Sequence, residues 1–222
     1  MSDLKPIILH GHDRSANPWK VVIILEELDL PYKHIYKDMT TLKQEPFVKI
    51  NPNGRIPAIE DPNTGITLWE SGAIVEYLIE TYDKDHKISS ASSPEKFLEK
   101  QFLHFQVSGQ GPYYGQWTWF KIFHKEQVPS ALERYEEQTL RVIGVLDNIL
   151  EGKEYLVGDK ASYADLAFIT WESVIQQIFF ADRMDEIKAY KNYWAWYERL
   201  NARPAVQKAN KLKAEAIAES SH

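Results

Sequence analysis

Short apolar runs alternate with amphipathic stretches in the first third of the chain. Apolar runs bounded by turn residues suit strands at 7–10, 32–36, 56–59 and 66–68, whereas a helical period fits 19–28, 42–50 and 70–82. Asn17 followed by Pro18 predicts that the first helix begins there with Asn17 as N-cap, because proline lacks an N–H that would need a partner. The turn-rich segment 61–65 predicts that the last two strands form an antiparallel hairpin. This part is therefore predicted to be an α/β domain.

The remainder of the chain has a different pattern. The polar, serine-rich sequence DKDHKISSASS at 83–93 has the composition of a linker. Beyond it the helical period dominates, over 94–123, 129–150, 161–180, 187–202 and again after Pro204. Ser162 and Asp165 have the spacing of a capping box at one of these helix starts. We expect an α/β domain of residues 1–86 followed by an all-α domain of residues 87–222.

Composition and charge narrow the classes of function. Hydrophobic residues make up 44% of the 222 positions, which is enough for a folded core. The charge balance is 26 − 32 = −6 with no basic block, so we expect no nucleic-acid partner. The longest apolar run, 21–25, is far shorter than the ~20 residues that span a bilayer, and the N-terminus has no signal-peptide pattern. We therefore expect a cytoplasmic protein without a membrane partner.

The cysteine count bears directly on chemistry. The chain has no cysteine, which excludes disulfides, thiolate zinc sites and cysteine nucleophiles. His10 and His12 are two residues apart but have no third ligand nearby in sequence, so we expect no metal site. If the protein performs sulfur chemistry, a ligand must supply the sulfur.

Three features of the α/β part could bind a ligand together. Ser15 and Asn17 lie at a helix start, where short polar side chains and free N–H groups favour an anion. Ile56-Pro57 enters an apolar strand, where a cis proline would leave the Ile56 backbone free to pair with an extended peptide. Glu70-Ser71 opens a helix and suits a zwitterion with an ammonium and a carboxylate group. Taken one at a time, these features are explained better by helix capping and by a proline at a strand start than by ligand binding. Their occurrence together favours ligand binding.

The combined motifs resemble a known family. The sequence NPNGRIPAIED followed by ITLWESGAIVEYL resembles the glutathione-binding half of glutathione S-transferases, and ASYADLAF resembles the capping box of their helical domain. The segments RSANPWK, SGQGPYYGQ and ALERY are similar to the Nu-class bacterial enzymes and to the related fungal nitrogen-regulator-like branch. The resemblance implies a thioredoxin-like N-terminal domain with a cis proline, an all-α C-terminal domain and a homodimer.

The resemblance also implies roles for individual residues. Asn17 and Ser15 would face the glutathione sulfur as catalytic residues. The residues that would bind the rest of glutathione are Lys43 or Gln44 at its glycyl end, Ile56 with the flanking Arg55 and Pro57 at its cysteinyl backbone, Glu70 and Ser71 at its γ-glutamyl end, and Arg134 at a carboxylate. Tyr113, Tyr114 and Trp117 belong to an aromatic-rich segment that could line an apolar acceptor pocket, or could instead be core.

The implied function is that of an enzyme with glutathione as co-substrate and no tightly bound cofactor. It would stabilise the glutathione thiolate for attack on an electrophile, as in detoxification, or for reduction of peroxides or disulfides. No tyrosine precedes Tyr32, so the phenol mechanism of the tyrosine-dependent transferases does not apply. The alternative is a non-catalytic glutathione-binding regulator, since the related branch includes regulatory proteins.

Overall fold

The computed structural model describes residues 4–220, which form two compact units. The first unit contains the chain up to Ser89 together with the segment from Ala202 onward, and the second contains the chain from Ser90 to Asn201. The division after Ser89 falls inside the polar segment 83–93. The sequence-based division at 86/87 assigned the C-terminal segment to the second domain, whereas in the structure this segment groups with the first unit.

The first unit contains a mixed sheet of four strands. They are β1 (Ile7–Gly11), β2 (Tyr32–Tyr36), β3 (Ala58–Asp61) and β4 (Ile66–Trp69), in the spatial order β2-β1-β3-β4. β1 and β2 are parallel, whereas β3 is antiparallel to both of its neighbours. The predicted hairpin is therefore confirmed, as is a thioredoxin-like arrangement of the α/β part.

Ten α-helices occur among residues 4–220. They are α1 (Ala16–Glu27), α2 (Phe47–Ile50), α3 (Ser71–Tyr82), α4 (Glu95–Phe105), α5 (Gly111–Thr118), α6 (Pro129–Ile149), α7 (Tyr163–Ile178), α8 (Met184–Lys188), α9 (Lys191–Asn201) and α10 (Pro204–Ser220). Two π-helical segments, Gln106–Gln110 and Trp119–Phe123, interrupt the helix predicted for 94–123. Among these same residues, no helix combines the length and apolar character needed to cross a membrane.

The start of α1 differs from the prediction. The backbone of Ser15 is extended, with φ −85° and ψ 132°, and the helix begins at Ala16. Ser15 is therefore the N-cap residue, whereas Asn17 is already the second residue of the helix. The predicted N-cap at Asn17 was wrong because the helix continues N-terminally past Pro18, a residue that the first turn of a helix tolerates.

Helix α1 is buried on more than one side, because it packs against β1, α3 and α10. The side chains at 21–25 are at most 1% exposed. Arg203, just before α10, donates two hydrogen bonds to the Glu27 carboxylate at 2.6 and 2.8 Å. Lys208 of α10 lies 2.6 Å from the Glu26 carboxylate. Apolar packing and ion pairs on α1 thus explain why α10 belongs to the first unit.

The second unit is all-α, and a buried polar network lies in its interior. The Glu172 carboxylate of α7 accepts hydrogen bonds from Gln110 Nε2 and Tyr193 Oη, each at 2.6 Å, and from Tyr114 Oη at 3.2 Å. Burial raises the pKa of Glu172 to about 7, against the lowering effect of these donors. The predicted capping box is confirmed nearby, where the Ser162 N–H donates to the Asp165 carboxylate at 2.9 Å.

Candidate functional site

The sheet register places the three predicted features at one end of the sheet. His10 of β1 pairs with Ala58, and Ala58 pairs with Trp69 of β4. Because both pairings are antiparallel, the residues just before β3 lie beside the residues just after β1 and just after β4. These neighbours are Ile56-Pro57, the loop that leads to α1, and Glu70-Ser71.

The loop between β1 and α1 is anchored by Asp13. The Asp13 carbonyl accepts a 2.6 Å hydrogen bond from Trp19 Nε1, and its buried carboxylate lies 2.8 Å from His12 Nδ1. Ser15 and Asn17 then stand half-buried at the N-terminal end of α1. The Ser15 side chain makes no capping hydrogen bond to the helix. This end of α1 combines helix N–H groups with two short polar side chains and so suits an anion.

A tight turn shapes the segment before β3. Gly54 has φ +62°, and a Cβ there would lie 3.0 Å from the Leu42 carbonyl oxygen and 3.1 Å from Lys43 Cγ. Glycine therefore allows this turn to pack against the segment that carries Lys43. Asn51 Nδ2 donates to the Arg55 carbonyl at 2.6 Å. The turn thus leads directly into the predicted glutathione-binding segment.

That segment has the backbone form that the resemblance implies. The Ile56–Pro57 peptide bond is cis. Ile56 is half-buried and precedes Ala58, where both ladders of β3 begin. Its backbone groups therefore lie outside the two ladders. The side chains of three other predicted glycyl-end or flanking residues are exposed: Lys43, Gln44 and Arg55.

The start of α3 has an unusual backbone and a buried charge beneath it. Glu70 has φ 72° and ψ 114°, in a region that residues with a Cβ seldom occupy. Ser71 follows as the first residue of α3, and its side-chain Oγ accepts a 2.9 Å hydrogen bond from Lys20 Nζ of α1. Burial lowers the pKa of Lys20 to about 7, while the negative charge of Glu70 opposes that shift.

Sequence reasoning missed Lys20. The residue is only 1% exposed, although lysine is rarely buried without a partner. The available signal was its position directly before the apolar run 21–25, on a helix whose neighbours in sequence are all core residues. Lys20 lies three positions after Asn17 in the helix, so both are on one side of α1. Lys20 thus connects α1, the helix that carries Asn17, with Ser71 at the start of α3.

The four predicted site residues of the second unit have different surroundings. Tyr114 is fully buried and donates to Glu172, and Trp117 stacks on Phe179 with ring centroids 4.0 Å apart. Packing within the second unit buries both rings, as expected of core side chains. Tyr113 is half-buried beneath the Arg141 guanidinium, 5.9 Å from its ring centroid. Arg134 is exposed on α6.

Comparison with known proteins agrees with this fold over nearly the whole chain. The N-terminal domain of the glutathione S-transferases matches residues 5–80, and a C-terminal domain of the same proteins matches residues 117–211. The glutathione S-transferase-like protein tpcF of Aspergillus fumigatus is 50% identical over 94% of this chain and 96% of its own length.

Solved structures agree equally well. The crystal structure of glutathione transferase URE2P6 from Phanerochaete chrysosporium, in complex with oxidized glutathione, has a TM-score of 0.91 and 42% identity over 97% of this chain and all of its own. Ure2p in complex with glutathione has a TM-score of 0.85 and 32% identity over 93% of this chain and 94% of its own. The chain therefore belongs to the glutathione S-transferase family and has Ure2-like relatives in fungi.

Proposed function

We propose that the protein is a glutathione-dependent transferase that stabilises the glutathione thiolate for attack on an electrophile, a peroxide or a disulfide. The observation that carries this proposal is the meeting of three segments at one end of the sheet: the α1 N-terminus with Ser15 and Asn17, the strand entry at Ile56, and the α3 start at Glu70 and Ser71. The α1 N-terminus suits the thiolate, and the backbone at Ile56 suits the peptide groups of the cysteinyl residue. Glu70 and Ser71 suit the amino and carboxylate groups of the γ-glutamyl end. The three segments follow one another in the same order as these groups do in glutathione.

The chemistry requires a lower thiol pKa. A free thiol of pKa ~8.5 is only a few per cent thiolate near neutral pH, and the thiolate is the nucleophile. Lowering that pKa by ~2 units needs roughly 2.7 kcal/mol of preferential thiolate stabilisation. Two hydrogen-bond donors and a helix N-terminus supply stabilisation of that size. In this proposal the Ser15 hydroxyl and the Asn17 amide are the donors, and neither acts as a base.

The finer assignments rest on the resemblance and on the relatives. The motifs resemble those of the Nu-class and fungal nitrogen-regulator-like branch, and the relatives include fungal proteins. We propose a cytoplasmic homodimer with Arg134 at a glutathione carboxylate. Light scattering should then give about 52 kDa, twice the chain mass of 25.8 kDa, and a value near the chain mass would refute the dimer.

The test measures binding and turnover separately. The double variant Glu70→Gln/Ser71→Ala should weaken glutathione binding at least about 100-fold in calorimetry, because it removes a partner for the ammonium and a donor to the carboxylate. Glu80→Gln, an exposed change near the other end of α3, is the matched control and should bind as the wild type does. Equal binding by the double variant and the wild type would refute the placement of the γ-glutamyl group.

Turnover is then measured with glutathione and an aryl halide, a hydroperoxide or a mixed disulfide. We expect turnover of at least one acceptor. A protein that binds glutathione but converts none of the three would instead be a non-catalytic glutathione-binding regulator. A protein that does not bind glutathione would refute the proposed function altogether.

A further inference from the structure

Lys20 is a buried cation directly behind the start of α3. Its side chain is 1% exposed, and the flanking residues Trp19 and Val21 are equally part of the core. Its ammonium group donates to Ser71 Oγ at 2.9 Å. The negative charge of Glu70 acts on the same ammonium group. The Lys20 ammonium group is therefore buried in the first unit, next to the two residues at the start of α3.

The hydrogen bond fixes the role of the Ser71 hydroxyl. The bond runs from Lys20 Nζ to Ser71 Oγ, and a charged lysine has donors and no acceptor, so the serine oxygen is the acceptor in this pair. A hydroxyl that accepts from Lys20 can still donate its own hydrogen to an acceptor on another side. Ser71 is also the first residue of a helix of 12 residues, whose N-terminal N–H groups favour a negative charge. The local arrangement therefore presents a donor to an anionic oxygen atom.

The rigidity of Lys20 makes this arrangement persistent. A long side chain on a protein surface samples many rotamers, whereas a fully buried one is confined by its neighbours. The Ser71 oxygen is therefore engaged before a ligand arrives, and binding does not have to orient the hydroxyl. Preorganisation of this kind raises affinity because it removes part of the ordering cost.

We propose that Lys20 is a positioning residue for carboxylate recognition, which holds the Ser71 hydroxyl as a donor toward the α-carboxylate of an amino-acid moiety and adds a positive charge behind it. This inference rests on the proposed function, in which that moiety is the γ-glutamyl end of glutathione. It assigns to the interior of α1 a part in ligand recognition that the motif at Glu70-Ser71 alone does not reveal.

The test combines a change in the protein with a change in the ligand. Calorimetry compares glutathione with 4-aminobutyryl-cysteinyl-glycine, which lacks only the α-carboxylate. Lys20→Met keeps the length of the side chain and removes its charge and donors. We expect this variant to weaken glutathione binding at least about tenfold, and to change the already weaker binding of the analogue less than about twofold.

Further variants separate positioning from stability. Lys20→Arg retains a charged donor and should preserve most of the preference for glutathione over the analogue. Lys20→Gln keeps a donor but no charge and should preserve less of this preference than Lys20→Arg does. If Lys20→Met does not fold, the arginine and glutamine variants provide the same comparison. In a Ser71→Ala background, Lys20→Met should cost much less than in the wild type, because the group through which Lys20 acts is gone.

The possible failures are distinguishable. If the wild type binds glutathione and Lys20→Met weakens both ligands equally, Lys20 is a structural residue and the inference is overturned. Unchanged glutathione binding by Lys20→Met overturns it as well. If the wild type binds neither ligand, the proposed function fails, and the inference fails with it.

Discussion

At the scale of single residues, the start of α1 separates capping from sulfur activation. Asn17 is the second residue of the helix, so its loss does not remove the N-cap residue. We expect Asn17→Ala to raise the pKa of the bound glutathione thiol, because a thiolate donor is lost. Turnover near neutral pH should fall about tenfold for about 1.4 kcal/mol of lost stabilisation.

The measurement is the ultraviolet absorbance of the bound thiolate as a function of pH. Ser15→Ala is the companion variant, since the Ser15 hydroxyl is not used for capping and could be the principal donor. A shifted titration in only one of the two variants identifies the donor. If neither titration moves, both side chains lose their proposed role, and the backbone N–H groups of α1 would have to stabilise the sulfur.

At the scale of elements, α10 is attached to α1 by two ion pairs that differ in burial. The Glu27 and Glu26 carboxylates are similarly buried, at 6% and 9% exposed, but their partners differ, since Arg203 is 28% and Lys208 61% exposed. We expect Arg203→Met to lower the free energy of unfolding by about 3 kcal/mol, because it leaves a buried carboxylate without its charged partner. Urea denaturation measures this loss.

Lys208→Met is the matched control for that prediction. Its partner Glu26 keeps a 2.7 Å hydrogen bond from Tyr32 Oη, so we expect a loss below about 1 kcal/mol. Adding Glu27→Gln to Arg203→Met should restore part of the stability, since no buried charge is then unpaired. Similar losses for the two single variants would contradict the prediction, because the Tyr32 hydrogen bond would then not compensate Glu26 for its lost partner.

At the scale of the whole molecule, stability should depend on the protonation of Glu172. Its folded pKa of about 7 lies above the ordinary glutamate value of 4.5, so between those values the folded state binds the proton more strongly than the unfolded state does. Stability from this group is therefore greatest below pH 4.5 and decreases as the pH rises to about 7. The decrease is about 3 kcal/mol at most.

Glu172→Gln should remove this dependence while keeping the volume of the side chain. Denaturation at pH 5 and pH 8 should show the variant gaining stability relative to the wild type as the pH rises. Glu133→Gln, an exposed change on α6, is the control and should follow the wild type at both values. A difference between Glu172→Gln and the wild type that is the same at pH 5 and pH 8 would contradict the proposed titration.

Local patterns in the sequence were enough to predict most of the elements and the family. The pattern of hydrophobic positions and the turn residues were sufficient to predict β1, β2 and the β3–β4 hairpin. The spacing of Ser162 and Asp165 was sufficient to predict their capping box. These features depend on residues close together in the chain, so the chain pattern contains them. The three ligand-binding motifs could also be found, because each occupies a short continuous segment.

Features that depend on contacts between distant segments became clear only from the folded structure. A lysine is expected at the surface, but Lys20 is buried against the start of α3. Its partner Ser71 lies 51 residues away in the chain. Tyr114 and Trp117 suit an acceptor pocket by composition, but contacts with Glu172 and Phe179 make them core. α10 joins the first unit because its partners lie on α1. Packing determines burial and charge pairing between segments so far apart in the chain, and a local sequence pattern does not contain this information.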